Sequence, residues 1–104
     1  MKIDSKTGRD ILTDMYGRRM FFEKAKAMIE EKTAGYYILS CTNIENFKFI
    51  NSAYGLDSGD AVLRHIADCT VRCMAAIGGI AGRINGDAFA ALFPASYADS
   101  KLLA

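Results

Sequence analysis

No stretch of this 104-residue chain runs apolar and uncharged for the ~18 residues that a membrane span requires. Its N-terminus, MKIDSKTGRDILTDMYGRRM, is broken by charge and has no apolar core of the secretory kind. No span is expected, and the cytoplasm is the default location. An excess of charge of either sign is also missing: thirteen basic and twelve acidic residues leave a formal +1, which gives no general attraction to nucleic acid or anionic lipid. No nucleic-acid partner is expected, and any phosphate binding must come from local placement. Low-complexity segments and internal repeats are absent. Cysteine is scarce and odd in number: Cys41, Cys69 and Cys73 fit neither a zinc spacing nor a disulfide framework, and are expected as buried free thiols. The lone histidine, His65, has no ligand-type residue at metal spacing and reads as a surface or boundary residue.

What remains is the composition of one globular domain, 51% hydrophobic and 24% charged. Turn formers and charge fill residues 1 to 16. A helix follows from Arg18 to about Lys32, with Phe21, Ala25, Met28 and Ile29 on one face, broken by Ala34-Gly35. YYILSCTNI, Tyr36 to Ile44, is a nearly continuous apolar run of strand length, which predicts a central strand covered on both faces. Phe47, Ile50 and Tyr54 mark a short helix stopped by Gly55. After a loop, LDS, Ser58 is placed to cap a long helix whose first turn carries Asp60 and whose buried stripe is Val62, Leu63, Ile66, Ala67, Thr70, Cys73, Met74 and Ile77. GGIAGRI and DAFAALF flank Asn85-Gly86, a pair suited to the positive φ angles of a type I′ hairpin turn. Pro94 ends the pattern, and ASYADSKLLA is compatible with the start of another helix. Helix, strand, helix and hairpin predict an α+β fold with helices packed on a face of one sheet.

Three segments in this order resemble the GGDEF domains, the diguanylate cyclase family. DILTDMYGRRMF is similar to their DPLTGLYNRRGF opening, NIENFKFINSAYGLDSGDAVLRHIA to their DIDxFKxINDxxGHxxGDxxLxxIA, and RINGDAF to their RxGGDEF signature. The likeness runs from residue 10 to 93. It implies a ferredoxin-like, nucleotide-cyclase palm sheet, and a single domain, residues 1–104, that lacks the family's C-terminal helix and strands. In that order the first strand lies beside the hairpin's inner strand and its other edge is left open. An open apolar edge invites a second copy, so a homo-oligomer is expected.

In active relatives two such domains each hold a GTP and join them into cyclic di-GMP, with divalent metal held by carboxylates to offset triphosphate charge. The resemblance puts the metal ligands at Asn43, the backbone carbonyl of Ile44, and Asp87. Asn43 has lost the family's charge, so Mg2+ is expected to be held only weakly. Of the signature positions Asn85, Gly86, Asp87, Ala88 and Phe89, Asn85 replaces a glycine that gives the triphosphate close backbone approach, and Ala88 replaces a glutamate. Guanine recognition in the family uses the positions held here by Asn51 and Asp60, and a carboxylate accepting from guanine N1 and N2 hydrogens is sound chemistry. Both residues also have plain structural roles open to them, as a helix stabiliser and a helix cap. Ser52 for aspartate and Leu56 for histidine are further departures. Lys48 stands at a nucleotide-binding position as a structural or phosphate-facing cation, and Arg83 is expected to pair with Asp60 or Asp87. The family's RxxD product-inhibition site would fall at Ala76 to Gly79, AIGG, where it is absent.

The sequence thus reads as a degenerate GGDEF domain, leaning away from enzyme activity, acting as a regulatory or dimerising module in cyclic di-GMP signalling with GTP or another guanine nucleotide as a candidate ligand. Two rivals stay open: an active cyclase working with Asn43 and Asp87, and a structural interaction domain that binds no nucleotide.

Overall fold

The computed structural model describes residues 1–31, 36–44 and 47–96. Its elements are α1 (Arg18–Glu31), β1 (Tyr37–Asn43), α2 (Phe47–Tyr54), α3 (Leu56–Ala76), β2 (Ile80–Asn85) and β3 (Ala88–Pro94). The expected break at Ala34-Gly35 and the helix after Pro94 lie outside the described residues, apart from the first residues of the latter. No described helix is long and apolar enough to cross a membrane.

The three strands form one antiparallel sheet in the order β1-β3-β2. Alternation sends side chains to two faces, and a helix covers each. Phe89 and Phe93 of β3 and Ala81 of β2 pack with Leu63, Ala67 and Met74 of α3 and with Met15. Ala90 and Leu92 of β3 pack instead with Phe21 and Ala25 of α1, supported by Tyr37 and Ile80. The helices therefore take opposite faces rather than sharing one. Fully buried side chains of this kind contribute about 1.5–3 kcal/mol each.

α1 reaches β2 closely because Gly82 has no side chain: a Cβ there would meet the Phe21 Cβ at 2.7 Å. Phe21 and Ala25 form its buried stripe, with Met28 half-buried, while Ile29, expected on that face, is 49% exposed. On α3 the stripe narrows to Leu63, Ala67 and Met74, and Cys73, one position short of Met74, points off it into solvent. All three cysteines are exposed, contrary to the expectation of buried thiols. Each residue is turned about 100° from the one before it, so Cys73, one position from Met74, and Cys69, two positions from Ala67, both turn off the stripe to the surface.

α3 also begins earlier than expected. LDS is helical, Gly55 at φ 91 is the N-cap, and no side chain caps the helix, so Ser58 does not do so. The acid in the first turn is Asp57 rather than Asp60. Gly78, at φ 77, ends the helix in the left-handed conformation that glycine adopts without strain, and the Gly79 N–H donates to the Met74 carbonyl at 2.7 Å.

β1 is not covered on both faces and is not central. It lies at one edge of the sheet, with Leu39, Cys41, Thr42 and Asn43 exposed, as the ferredoxin-like order required. The apolar run suggested a central strand, but centrality needs a strand on both edges and face burial needs elements packed above and below, and among the described residues β1 pairs only with β3 and has no fully buried residue.

Candidate functional site

The hairpin turn and the end of β1 meet at one corner of the sheet. Asn43, the last residue of β1, pairs with Ala88, the first of β3, and the Ile44 N–H donates to the Asp87 carbonyl at 3.0 Å. The four residues Asn43, Ile44, Asp87 and Ala88 are thus brought together, as the sequence placed them. Asn85 closes the turn opposite Ala88 and is exposed.

The turn is not the mirror-image type that Asn85-Gly86 suggested. Its two central residues are Gly86 and Asp87, and neither Asn85 nor Gly86 has positive φ. A bulge supplies the twist instead: the register shifts between Arg83 and Asn85, so Ile84 is an extra residue on β2. Phe89, the last signature position, is 3% exposed and belongs to the core.

Arg83 holds this turn in place. Its Nε and Nη2 donate to the Gly86 carbonyl at 3.1 and 2.7 Å, while Nη1 donates to Asp10 Oδ2 at 2.8 Å. The expected partners were Asp60 or Asp87; the actual one is Asp10, from the DILT stretch. Asp10 Oδ2 also accepts from the Thr13 N–H at 3.1 Å and the Thr13 hydroxyl at 2.6 Å. Burial pushes the Asp10 carboxyl up, but the hydrogen bonds from Thr13 and Arg83 and the guanidinium charge outweigh it, leaving the group below its ordinary value. Asp10 Oδ1 is buried with no hydrogen-bond partner among the described residues. The signal that could have found this pair was present, since Asp10 and Arg83 each sit in a motif already singled out. Sequence spacing alone does not join them.

The second cluster lies where α2 meets α3. Asn51, half-buried on α2, sets its Oδ1 against Gly59, so closely that a Cβ at Gly59 would overlap it. Asp60 follows Gly59 on α3 and is also half-buried. The GD pair thus has a physical division of labour: glycine admits the asparagine, and the aspartate stands next to it. Asp60 shares with Asp10, Leu12, Arg64 and Arg83 the wall of a cavity of about 370 Å³. Lys48 is exposed on α2, one turn before Asn51. Ala76 ends α3 and Ile77-Gly78 form the turn after it, where Arg9 lines a cavity of about 150 Å³ with Ala75 and Gly79.

For a divalent metal the corner offers the Asp87 carboxylate, the Asn43 amide and the Ile44 carbonyl. Among the described residues no group of three or more His, Cys, Asp or Glu side chains is placed to hold a metal ion. Mg2+ favours anionic oxygen ligands, and a centre that must neutralise triphosphate charge depends on them. Among the described residues that donor set holds a single carboxylate, Asp87.

A three-stranded antiparallel sheet flanked by helices, with a short turn held by Arg83 beside the end of β1, has the architecture of a nucleotide-cyclase palm domain. The family model described as "Diguanylate cyclase, GGDEF domain" matches residues 7–103, and the chain belongs to that family. It is 36% identical over 90 residues to the uncharacterized protein YhcK of Bacillus subtilis (strain 168), covering 82% of this chain and 24% of that protein. The GGDEF domain of DgcB from Caulobacter crescentus, crystallised with c-di-GMP, superimposes with TM-score 0.73 at 32% identity, over 89% of this chain and 55% of that one. The diguanylate cyclase SiaD of Pseudomonas aeruginosa, in complex with its activator SiaC, gives TM-score 0.70 at 33% identity, over 85% of this chain and 34% of that one. The chain therefore spans about a quarter of the curated relative and about half or less of these two solved chains.

Proposed function

We propose that this chain is a GGDEF domain without cyclase activity that serves as a regulatory and dimerising module in cyclic di-GMP signalling in the cytoplasm, and that it binds a guanine nucleotide at the α2–α3 junction. The observation that carries this reading is the corner where Asn43 faces Ala88 beside Asp87. Joining two nucleoside triphosphates needs developing charge on the phosphoryl oxygens to be offset in a fixed, preorganised site. Bound metal would supply that charge, and among the described residues the corner offers it one carboxylate, Asp87. Asn85 adds a side chain at the position where the family uses glycine to admit phosphate.

The base end supports binding without turnover. Asp60 has two acceptor oxygens for the paired N–H groups on the guanine edge, and Asn51 has both a donor and an acceptor for a neighbouring ring atom. Gly59 admits Asn51 Oδ1 against α3, one residue before Asp60. Lys48 supplies a cation one turn away. DgcB with its bound c-di-GMP and SiaD with its activator illustrate two ways in which related domains take a nucleotide or a protein partner.

Calorimetric titration with GTP tests the binding claim. A saturable heat is expected in the wild type, nearly unchanged when Mg2+ is withheld. In Asp60→Ala the affinity is expected to fall at least about tenfold, the loss of one or two charge-assisted hydrogen bonds. A flat titration with both proteins would contradict the claim and favour a purely structural role.

A further inference from the structure

The outward ridge of α3 carries soft donor atoms in a row. His65, Cys69 and Cys73 follow one another at i, i+4 and i+8, and all three are exposed. Residues four apart on a helix are neighbours on its surface, and two ligands at that spacing share one metal ion in helical zinc sites. The sequence reading left His65 without a ligand-type residue at metal spacing. Cys69 is such a residue, and the turn of the helix brings the two together, with Cys69 Sγ 3.7 Å from His65 Nε2.

That separation has a chemical meaning. A tetrahedral zinc ion, with bonds of about 2.3 Å to thiolate and about 2.0 Å to imidazole, holds sulfur and nitrogen about 3.5 Å apart. The pair therefore already stands close to the bite of such an ion. Both donors come from one helix, so their contact depends on no other part of the chain. α3 is 21 residues long and is fixed to the sheet through Leu63, Ala67 and Met74, which gives the pair a rigid base.

We propose that His65 Nε2 and Cys69 Sγ form a binding site for a zinc-class ion. Thiolate and imidazole suit zinc, whereas Mg2+ prefers anionic oxygen, so the site differs in kind from the oxygen-lined corner at Asp87. On binding, the metal takes the place of the thiol proton, which passes to solvent, and no electron is transferred. Asp68 adjoins Cys69 in sequence, but its carboxylate is engaged by Arg72 at 2.7 Å. Cys73 is eight residues from His65, about 12 Å along the axis, too far for both to hold one ion. Among the described residues no third His, Cys, Asp or Glu joins the pair, so water completes the shell. Neither donor belongs to the α2–α3 nucleotide cluster, and the two sites stand or fall separately.

Titration of the full chain with ZnCl2, its thiols kept reduced, is expected to show saturable binding that excess Mg2+ does not displace. Cys69→Ser and His65→Gln should each weaken it at least about tenfold, whereas Cys73→Ser should leave it unchanged. All three side chains are exposed, so circular dichroism should be the same in every variant. A second readout needs no variant. In the unaltered chain Zn2+ should protect Cys69 from alkylation by iodoacetamide while Cys73 stays reactive, and tryptic cleavage after Arg72 puts the two on separate peptides for mass spectrometry. Absence of saturable Zn2+ binding would overturn the proposal, as would unchanged affinity in either His65→Gln or Cys69→Ser. Equal protection of Cys69 and Cys73 would also overturn it, by placing the ion between the two thiols.

Discussion

Arg83 Nη1 and Asp10 Oδ2 meet at 2.8 Å across 73 positions of sequence, with side chains only 7% and 1% exposed. The pair ties the N-terminal arm to the signature turn, because the same guanidinium holds the Gly86 carbonyl. Removing one member leaves a buried group uncompensated, which typically costs about 3–5 kcal/mol. Arg83→Ala is therefore expected to lower unfolding free energy by that amount in urea denaturation. In a domain whose whole stability is about 5–15 kcal/mol, that is a large fraction of the total. A loss below about 1 kcal/mol would contradict the role given to this pair.

The same carboxylate sets a pH dependence. Asp10 is held below its ordinary value of 3.8 in the folded chain, so the unfolded chain binds its proton first. Its contribution is complete above that value and is lost as pH falls through the lower folded pKa. The stability difference between wild type and Asp10→Asn should be constant from neutral pH down to about 5 and shrink below that. A difference that grows with acid would have the wrong sign.

Two glycines with opposite surroundings make a matched test of packing. At Gly82 an added methyl runs into buried Phe21, and Gly82→Ala should cost about 1–3 kcal/mol. At Gly86 nothing lies within 4 Å of an added Cβ and φ is not positive. Gly86→Ala should therefore change stability by no more than about 0.5 kcal/mol. Thermal unfolding of the two variants side by side checks both.

Metal affinity should be repairable by a single atom-for-atom exchange. Asn43→Asp puts a second carboxylate beside Asp87 on an unchanged backbone, and should tighten Mn2+ binding at least about tenfold, or 1.4 kcal/mol. Electron paramagnetic resonance of free Mn2+ during titration reads this directly. Equal affinity in the two proteins would mean that the corner is not where metal is held.

Much of this fold was legible because local patterns and tertiary needs agree. Phe21 and Ala25 on α1, and Leu63, Ala67 and Met74 on α3, follow helical spacing and face the core. The hairpin was marked by strand-type residues around a glycine, and its position in the chain by likeness to the signature turn. What escaped depends on geometry that spacing does not encode. Asn85-Gly86 is a good type I′ sequence, yet the bulge at Ile84 supplies the twist and moves the turn one residue on. Ser58 is a good cap, but Gly55 at φ 91 lets the helix start before it. Cys69 and Cys73 share the i, i+4 spacing of the buried stripe while lying beside it. The Asp10–Arg83 pair joins two motifs that were each read alone. At the site, Asn51 and Asp60 could be named from the motif, but that Gly59 is what admits Asn51 could be seen only once the two helices were packed.

Turnover is the most direct test of the central claim. The purified chain, at tens of micromolar with excess GTP and either Mg2+ or Mn2+, should yield no cyclic di-GMP by chromatography, with the nucleotide recovered as GTP. Accumulation of cyclic di-GMP in proportion to protein concentration would contradict it, and would mean that Asn43 and Asp87 together still support the chemistry.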